Sequence, residues 1–254
     1  MARRTVEAMT DSRAAVVLGA SGSVGHALLA ALIRSGAFRT IATPVRRSQP
    51  EWVRTASDAG IMLRETLLSD MDPNRVTSAT VDTIRALDEA IVAGFSVLGV
   101  GARTASLTID EHRAVDVRLN AAFARGLKTS GRVTHLAFMS SVAADADAPA
   151  TGSGAAGSSR YLRVKGESEE AVKDAGPAVV SIFRPAMIIG SRHTPWLLEK
   201  VLPLFSLVTP SRFRSITVEQ IARAMVDTSV HTPAASGVYH YAEMVADRRA
   251  KSGS

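Results

Sequence analysis

A glycine-rich turn near the start of the chain places the strongest constraint on the fold. Gly19, Gly22 and Gly25 recur at every third position, between an apolar run, Ala14–Leu18, and a segment of helical periodicity, Val24–Arg34. The first glycine of such a turn allows a sharp bend, the second lets a phosphate approach the backbone, and the third lets the helix pack closely on the sheet. The alternative is a turn that is only structural. The predicted phosphate-binding residues are Gly19, Ser21, Gly22, Ser23, Val24 and Gly25.

Apolar runs alternate with helical segments along most of the chain. The predicted strands are Ala14–Leu18, Thr40–Thr43, Ile61–Leu63, Phe95–Val100, Thr134–Met139 and Val179–Phe183. Helices are predicted over residues 24–34, 110–128 and 159–175. Strands and helices in this order form βαβ units with right-handed crossovers. The sequence therefore predicts an α/β fold with a doubly wound parallel sheet, the Rossmann fold.

The domain organisation follows from the same pattern. Residues 14–246 are expected to form one dinucleotide-binding domain, in which the proline-interrupted region 191–246 makes a small, mostly helical cap. Residues 1–13 and 247–254 are expected to be flexible. Residues 143–158 contain only small and polar side chains and proline, which predicts a flexible loop inside the domain.

Charge and composition exclude several classes of protein. The chain has a formal net charge of +6, but its charges are spread along the sequence, so nucleic-acid binding is not expected. It has no cysteine, which excludes disulfides and thiolate metal sites. Its six histidines show no metal-ligand spacing, so no metal is expected. No segment approaches the ~20 apolar residues of a membrane span. A cytoplasmic location is predicted, with an organellar leader in residues 1–13 as the less favoured alternative.

Two arginines follow the second predicted strand. Folds of this kind that prefer NAD usually carry an acidic residue there, which binds the ribose hydroxyls. Here Arg46 and Arg47 occupy that place, and their charge and donor geometry suit a 2′-phosphate. The sequence thus predicts NADP(H) as the cofactor, with a solvated basic turn as the alternative. Arg192, after the sixth strand, is a further candidate for binding a cofactor phosphate.

A tyrosine and a lysine stand four residues apart at the start of the helix predicted over 159–175. This spacing places Tyr161 and Lys165 on one helical face, where an ammonium favours the phenolate of a neighbouring tyrosine. The chain has only three tyrosines and five lysines, so such a pair is rare by chance. Upstream, Ser140 and Ser141 end the fifth strand, where a hydroxyl can orient a substrate carbonyl.

Together these residues resemble the short-chain dehydrogenases/reductases of the atypical group, and in particular the branch named for a human HIV Tat-interacting protein. The resemblance runs from about residue 15 to 230. It is carried by Val17-Leu18-Gly19-Ala20-Ser21-Gly22-x-x-Gly25, Arg46-Arg47, Leu98-Gly99, Ser140-Ser141, Tyr161-Leu162-x-Val164-Lys165-Gly166-Glu167, Phe183-Arg184-Pro185 and Trp196-Leu197.

The resemblance implies a role for each of these positions. Tyr161 would be the proton donor, Lys165 its partner and the ribose anchor, and Ser141 or Ser140 the hydroxyl that orients the substrate. Leu98, Gly99 and Arg184 would line the nicotinamide side, although Arg184 is equally compatible with an ion pair to a carboxylate. Asn120 lies in the helix that holds a further catalytic asparagine in relatives, but no role is assigned to it.

We therefore expect an NADP(H)-dependent oxidoreductase that transfers hydride to or from a small carbonyl or alcohol substrate. The alternative is an NADPH-sensing regulatory or scaffold protein that binds a protein partner and has little turnover. A chaperone-like assembly factor on the same fold is less favoured, because a serine (Ser141 or Ser140), Tyr161 and Lys165 are all present.

Overall fold

Seven parallel strands form the central sheet of the computed structural model, which describes residues 12–189 and 211–246. The order β3-β2-β1-β4-β5-β6-β9 is that of a doubly wound sheet, so the predicted fold class is confirmed. A separate two-stranded sheet pairs β7 with β8. The strands are β1 (Arg13–Leu18), β2 (Thr40–Val45), β3 (Met62–Leu67), β4 (Ile91–Ser96), β5 (Val133–Met139), β6 (Val179–Phe183), β7 (Ile188–Ile189), β8 (Ile216–Thr217) and β9 (Gly237–Tyr239).

Helices connect the strands and cover both faces of the sheet. They are α1 (Ser23–Ser35), α2 (Pro50–Asp58), α3 (Pro73–Arg85), α4 (Ile109–Arg113), α5 (Asn120–Thr129), α6 (Ser159–Ala175), α7 (Val218–Val230) and α8 (Tyr241–Val245). A π-helical turn, Ala114–Leu119, joins α4 to α5 into one continuous helical segment. Within the described residues, no helix has both the length and the apolar character that crossing a bilayer requires.

Two apolar cores lie on opposite faces of the sheet. One buries Leu28 and Leu32 of α1 against Ile221 and Met225 of α7. The other is built from α3, α5 and α6; its largest side chains include Phe123, Leu127 and Phe138. Every residue of β2 is buried, as expected for a strand covered on both faces.

The C-terminal part of the chain differs from the predicted cap. Helix α7 packs against α1 in the layer that covers the main sheet, and β9 extends that sheet beside β6. Residues 211–246 thus contribute to the Rossmann domain itself, because short strands such as β9 give little periodic signal. The N-terminal boundary also differs, since Arg13 already belongs to β1 and donates to the carbonyl of Val230. Residues 191–210 of the predicted cap and the predicted tail 247–254 lie outside the described residues.

Candidate active site

A groove of about 490 Å³ opens at the carboxyl ends of β1 and β4, where the strand order of the sheet reverses. Ligands of open α/β sheets bind at this switch point. Six of the predicted cofactor-binding residues line the groove: Gly19, Ser21, Gly22, Arg46, Leu98 and Gly99. Val24 and Gly25 lie in the first turn of α1 and are buried, so they do not line the groove.

The glycines of the turn serve different purposes. Gly19 has φ +89°, and a Cβ there would lie 2.6 Å from the backbone nitrogen of Leu98. Gly22 has an ordinary φ of −81°, and a Cβ there would meet only the Gly19 carbonyl oxygen, at 3.6 Å. Packing does not require glycine at position 22. The open backbone at the N-terminus of α1, which no side chain caps, suits a pyrophosphate.

The paired arginines are separated by the structure. Both are exposed at the end of β2, but only Arg46 lines the groove; Arg47 is not among the lining residues. Arg103 lines the groove as well, a cation that the sequence analysis missed. Glu111 adds a carboxylate, which is engaged by the backbone N–H of Thr108 at 2.8 Å, and this hydrogen bond lowers the pKa of Glu111.

Tyr161 and Lys165 are neighbours on α6, as their spacing predicted. The Nζ atom of Lys165 lies 5.7 Å from the centre of the Tyr161 ring, which is half-buried. Lys165 itself is buried, and its Nζ donates to Oδ1 of Asp116 at 2.6 Å. A Cβ placed on Gly99 would lie 3.4 Å from this Nζ. Since Gly99 lines the groove, the ammonium of Lys165 lies directly behind the groove wall, whereas neither Lys165 nor Tyr161 is itself a lining residue.

Asp116 is a site residue that the sequence analysis did not identify. Burial alone would raise the pKa of Asp116, but the charge and hydrogen bond of Lys165, together with His112, hold it well below its usual range. Burial alone would lower the pKa of Lys165, but Asp116, Tyr161 and Glu169 hold it above its usual range. Both groups are therefore charged at neutral pH. A single buried aspartate has no local sequence signature that would have pointed to it.

Asn120 and His112 complete the surroundings of Asp116. Asn120 is buried, and its Nδ2 donates to the carbonyl oxygens of Asp116 at 2.7 Å and Leu98 at 3.3 Å. It therefore ties the π-helical turn to the wall of the groove. The ring of His112 stacks on Tyr161 with centroids 5.8 Å apart, and its Nε2 lies 3.5 Å from Oδ1 of Asp116.

The two candidate serines differ in their surroundings. Ser140 is buried, and its Oγ has no hydrogen-bond partner among the described residues. Ser141 is half-buried, and its carbonyl accepts from the N–H of Ala144. Ser140 therefore carries a buried hydroxyl donor that has no acceptor among the described residues.

The first part of the loop 143–158, which was expected to be flexible, is hydrogen-bonded to α6. The N–H of Asp145 donates to the carbonyl of Leu162 at 3.0 Å, and Arg163 donates to the carbonyl of Ala148 at 2.8 Å. A Cβ on Gly166 would lie 2.1 Å from the nitrogen of Ala146, so the loop backbone packs directly on the helix. Residues 149–153 and 155–157, by contrast, are exposed.

The structure favours the ion-pair alternative for Arg184. Its guanidinium makes two hydrogen bonds to the buried carboxylate of Glu169, at 2.8 and 2.6 Å. This bidentate pair joins β6 to α6 and raises the pKa of Arg184. Arg192 lies outside the described residues, as do His193 and the Trp196-Leu197 pair of the resemblance.

Comparisons with known proteins agree with this architecture. No family model matches the chain. The 3-oxoacyl-[acyl-carrier protein] reductase of Brucella melitensis, solved with NAD, superposes with a TM-score of 0.69 at 14% identity, covering 92% of this chain and 98% of that one. A short-chain dehydrogenase/reductase of Serratia marcescens superposes with a TM-score of 0.63 at 16% identity over 94% of this chain and 100% of that one. The chain has the fold of the short-chain dehydrogenases/reductases.

Two further proteins are similar to it. The yeast methylglyoxal/isovaleraldehyde reductase Gre2, solved with NADPH, superposes with a TM-score of 0.61 at 12% identity and covers 89% of this chain and 78% of that one. In sequence, the mitochondrial protein fmp52 of Aspergillus clavatus is 29% identical over 177 residues, which cover 70% of this chain and 67% of that protein.

Proposed function

We propose that this short-chain dehydrogenase/reductase fold is an NADP(H)-dependent oxidoreductase that acts on a small carbonyl or alcohol substrate. The observation that carries the proposal is the position of Lys165. Its buried ammonium lies against the ring of Tyr161 and directly behind Gly99 of the groove. A pair of this kind at the wall of a dinucleotide groove suits a tyrosine that gives or takes a proton.

The residues of the groove fit a dinucleotide. Gly19 and Gly22, with the uncapped N-terminus of α1, would hold the pyrophosphate, and Arg46 would bind a 2′-phosphate. Arg103 would add a second positive charge on the groove wall. NADP(H) would supply or accept the hydride, while the protein would orient the reactants and manage the proton.

The chemistry of this chain's own residues is proton transfer and orientation. In the reducing direction, the Tyr161 hydroxyl donates its proton to the substrate oxygen as negative charge develops there. The ammonium of Lys165 stabilises the phenolate that remains. A serine hydroxyl, from Ser140 or Ser141, donates a hydrogen bond to the same substrate oxygen and holds it opposite Tyr161.

The support for NADP(H) over NAD(H) is the charge at the end of β2. Neighbours of the same fold were solved with NAD and with NADPH, so the fold alone leaves the choice open. In this chain Arg46 lines the groove where a carboxylate would otherwise repel a 2′-phosphate. The charge-assisted contact supports the phosphorylated cofactor.

The arrangement favours an enzyme over the sensing alternative. A protein that only bound NADPH could use Lys165 as a ribose anchor but would not need the hydroxyl of Tyr161 beside its ammonium. Membership of the Tat-interacting branch stays a prediction. The cytoplasmic location does too, and because fmp52 is named as mitochondrial, microscopy of a C-terminally tagged chain against a mitochondrial marker would test it.

A substrate screen tests the proposal. Aldehydes, ketones and quinones are offered with NADPH, and cofactor oxidation is followed by the loss of absorbance at about 340 nm. Turnover that depends on the carbonyl compound, and that is weaker with NADH, is expected. NADPH binding without turnover of any compound, combined with an NADPH-dependent change in affinity for a protein partner, would favour the sensor instead.

A further inference from the structure

Asp116 is the carboxylate that faces the ammonium of Lys165 inside the protein. Its side chain is 1% exposed, and that of Lys165 is 7% exposed. Oδ1 accepts from Lys165 at 2.6 Å, and Oδ2 accepts from the N–H of Val100 at 2.9 Å. Both carboxylate oxygens of Asp116 thus accept a hydrogen bond, one from Lys165 and one from Val100 in the loop that forms the groove wall.

The π-helical turn fixes this carboxylate from its backbone side. The carbonyl oxygen of Asp116 accepts from Nδ2 of Asn120 at 2.7 Å and from the hydroxyl of Ser168 on α6. A π-helical turn is uncommon and often marks a functional site. Here it anchors Asp116 to α5 and α6 at once, so the position of its side chain is tightly determined.

The other charged and titratable groups around Lys165 do not duplicate this role. Glu169, one turn further along α6, is paired with Arg184 at 2.6 Å. From α4, His112 approaches Oδ1 at 3.5 Å, but neither of its ring nitrogens has a hydrogen-bond partner in the described part of the chain. The remaining neighbour is the phenol of Tyr161. Asp116 is therefore the counter-ion that Lys165 depends on.

We propose that Asp116 is a positioning residue for the Tyr161–Lys165 pair, which holds the ammonium behind Gly99 and sets the net charge beside the Tyr161 phenol. The catalytic consequence rests on the function proposed above, whereas the electrostatic consequence does not need a substrate. With Asp116 ionised, the charge of Lys165 is balanced. Without it, an uncompensated ammonium would remain beside the phenol and favour phenolate formation.

Tyrosinate absorbance at about 295 nm measures this effect directly. The chain has three tyrosines, and Tyr161→Phe identifies the step in the alkaline titration that belongs to position 161. In Asp116→Asn that step is expected at a pH lower by about one unit. The matched control is Asp110→Asn, which removes an exposed carboxylate of α4 that lies 3.6 Å from Arg113. The control should leave the step unchanged.

A second comparison covers the case in which Asp116→Asn does not fold. Removing both members of a buried ion pair is tolerated better than removing one. The double variant Asp116→Asn/Lys165→Met is compared with the wild type, since in both proteins the pair beside Tyr161 has no net charge. Tyr161 should ionise at nearly the same pH in the two proteins, because the ammonium and the carboxylate that balances it are lost together. A step at clearly higher pH in the double variant, or an identical tyrosine titration in Asp116→Asn and the wild type, would overturn the proposal.

Turnover separates this inference from the proposed function. Once a substrate is found, the pH profile of kcat in Asp116→Asn should move to lower pH by the same amount as the tyrosine titration. A purely structural role would lower kcat without moving the profile. If the titration shifts and no carbonyl compound is turned over, Asp116 keeps its role and the proposed function fails. If a carbonyl compound is turned over and the titration does not shift, the proposed function is supported and the role proposed for Asp116 fails.

Discussion

Gly25 packs against the carbonyl oxygen of Gly19 so closely that a Cβ at position 25 would lie 2.2 Å from it. The spacing of the three glycines predicts that this one brings the helix close to the sheet. The structure shows that it brings the helix close to the turn itself. Gly22, three residues earlier, has no such contact, since a Cβ there would meet only the Gly19 oxygen at 3.6 Å.

Alanine at these two positions should therefore affect different properties, stability at position 25 and NADPH binding at position 22. Gly25→Ala should destabilise the protein by about 1–3 kcal/mol, because backbone atoms must move to admit the methyl group. Gly22→Ala should change stability by no more than about 1 kcal/mol but weaken NADPH binding, since its methyl group would occupy the approach to the α1 N-terminus. Urea unfolding and cofactor fluorescence measure the two effects. Wild-type NADPH affinity in Gly22→Ala would argue against a phosphate at this turn.

The separation of the paired arginines gives a second prediction. Because Arg46 lines the groove and Arg47 does not, Arg46→Ala should remove most of a roughly ten- to hundredfold preference for NADPH over NADH. NADH affinity should hardly change in this variant. Arg47→Ala is the matched control and should keep the preference. Dissociation constants for both cofactors at moderate salt decide the matter, and equal values in the wild-type protein would contradict the choice of NADP(H).

Much of this fold could be predicted because buried parallel strands have strong local patterns. The run Ala14–Leu18 and the helix over 159–175 were located to within a residue. The fourth strand was predicted at Phe95–Val100 but spans Ile91–Ser96, because its ends are set by pairing with β1 from Arg13 to Leu18. Helices α2 and α3 were missed, since their mostly polar sequences leave one buried residue in α2 and four in α3.

The candidate site also contains residues with a local sequence signal and residues without one. Gly19, Gly22, Tyr161 and Lys165 could be proposed from the sequence because their spacing along the chain is itself the signal. Asp116 is 49 residues from Lys165 in the sequence, and their contact depends on a π-helical turn that no residue pattern predicts. The difference between Arg46 and Arg47 likewise depends on where the groove lies.

A buried histidine away from the groove makes stability depend on pH. His135 lies between β6 and α7, with Nε2 at 2.9 Å from Ser181 Oγ and Nδ1 at 3.2 Å from Ser229 Oγ. Burial lowers the pKa of His135 to about 4, from an ordinary value of 6.5. Below pH 6.5 the unfolded chain therefore takes up a proton that the folded protein refuses. The stability that depends on a neutral His135 is therefore fully present above that pH, and the free energy of unfolding falls by about 3 kcal/mol as the pH drops to 4.

Urea unfolding of the wild type and His135→Gln between pH 7.5 and 4 measures this dependence. The free-energy difference between the two proteins should shrink as the pH falls, because glutamine does not titrate. His231→Gln, which replaces an exposed histidine, is the matched control and should run parallel to the wild type. Parallel curves for His135→Gln as well would show that His135 takes up its proton equally readily in the folded and the unfolded protein, against a lowered pKa.

The last prediction concerns the step that Tyr161 performs. Tyr161→Phe removes only the hydroxyl, so NADPH affinity should change little, while turnover should fall by ~10²–10⁴-fold, the usual contribution of one positioned acid or base. Lys165→Ala should weaken both cofactor binding and turnover, because the ammonium lies behind Gly99 as well as beside the phenol. It should also destabilise the fold, since it leaves the carboxylate of Asp116 buried without its partner.

Two control variants make the result specific. Tyr241→Phe removes a tyrosine hydroxyl on α8, and Lys173→Ala removes an exposed ammonium from the far end of α6. Neither should change turnover by more than about twofold, because neither residue lines the groove or contacts the Tyr161–Lys165 pair. Single-turnover measurements with bound NADPH would separate hydride transfer from product release. Undiminished single-turnover rates in Tyr161→Phe would remove Tyr161 from the reaction, and the proton would then have to come from another donor or from water.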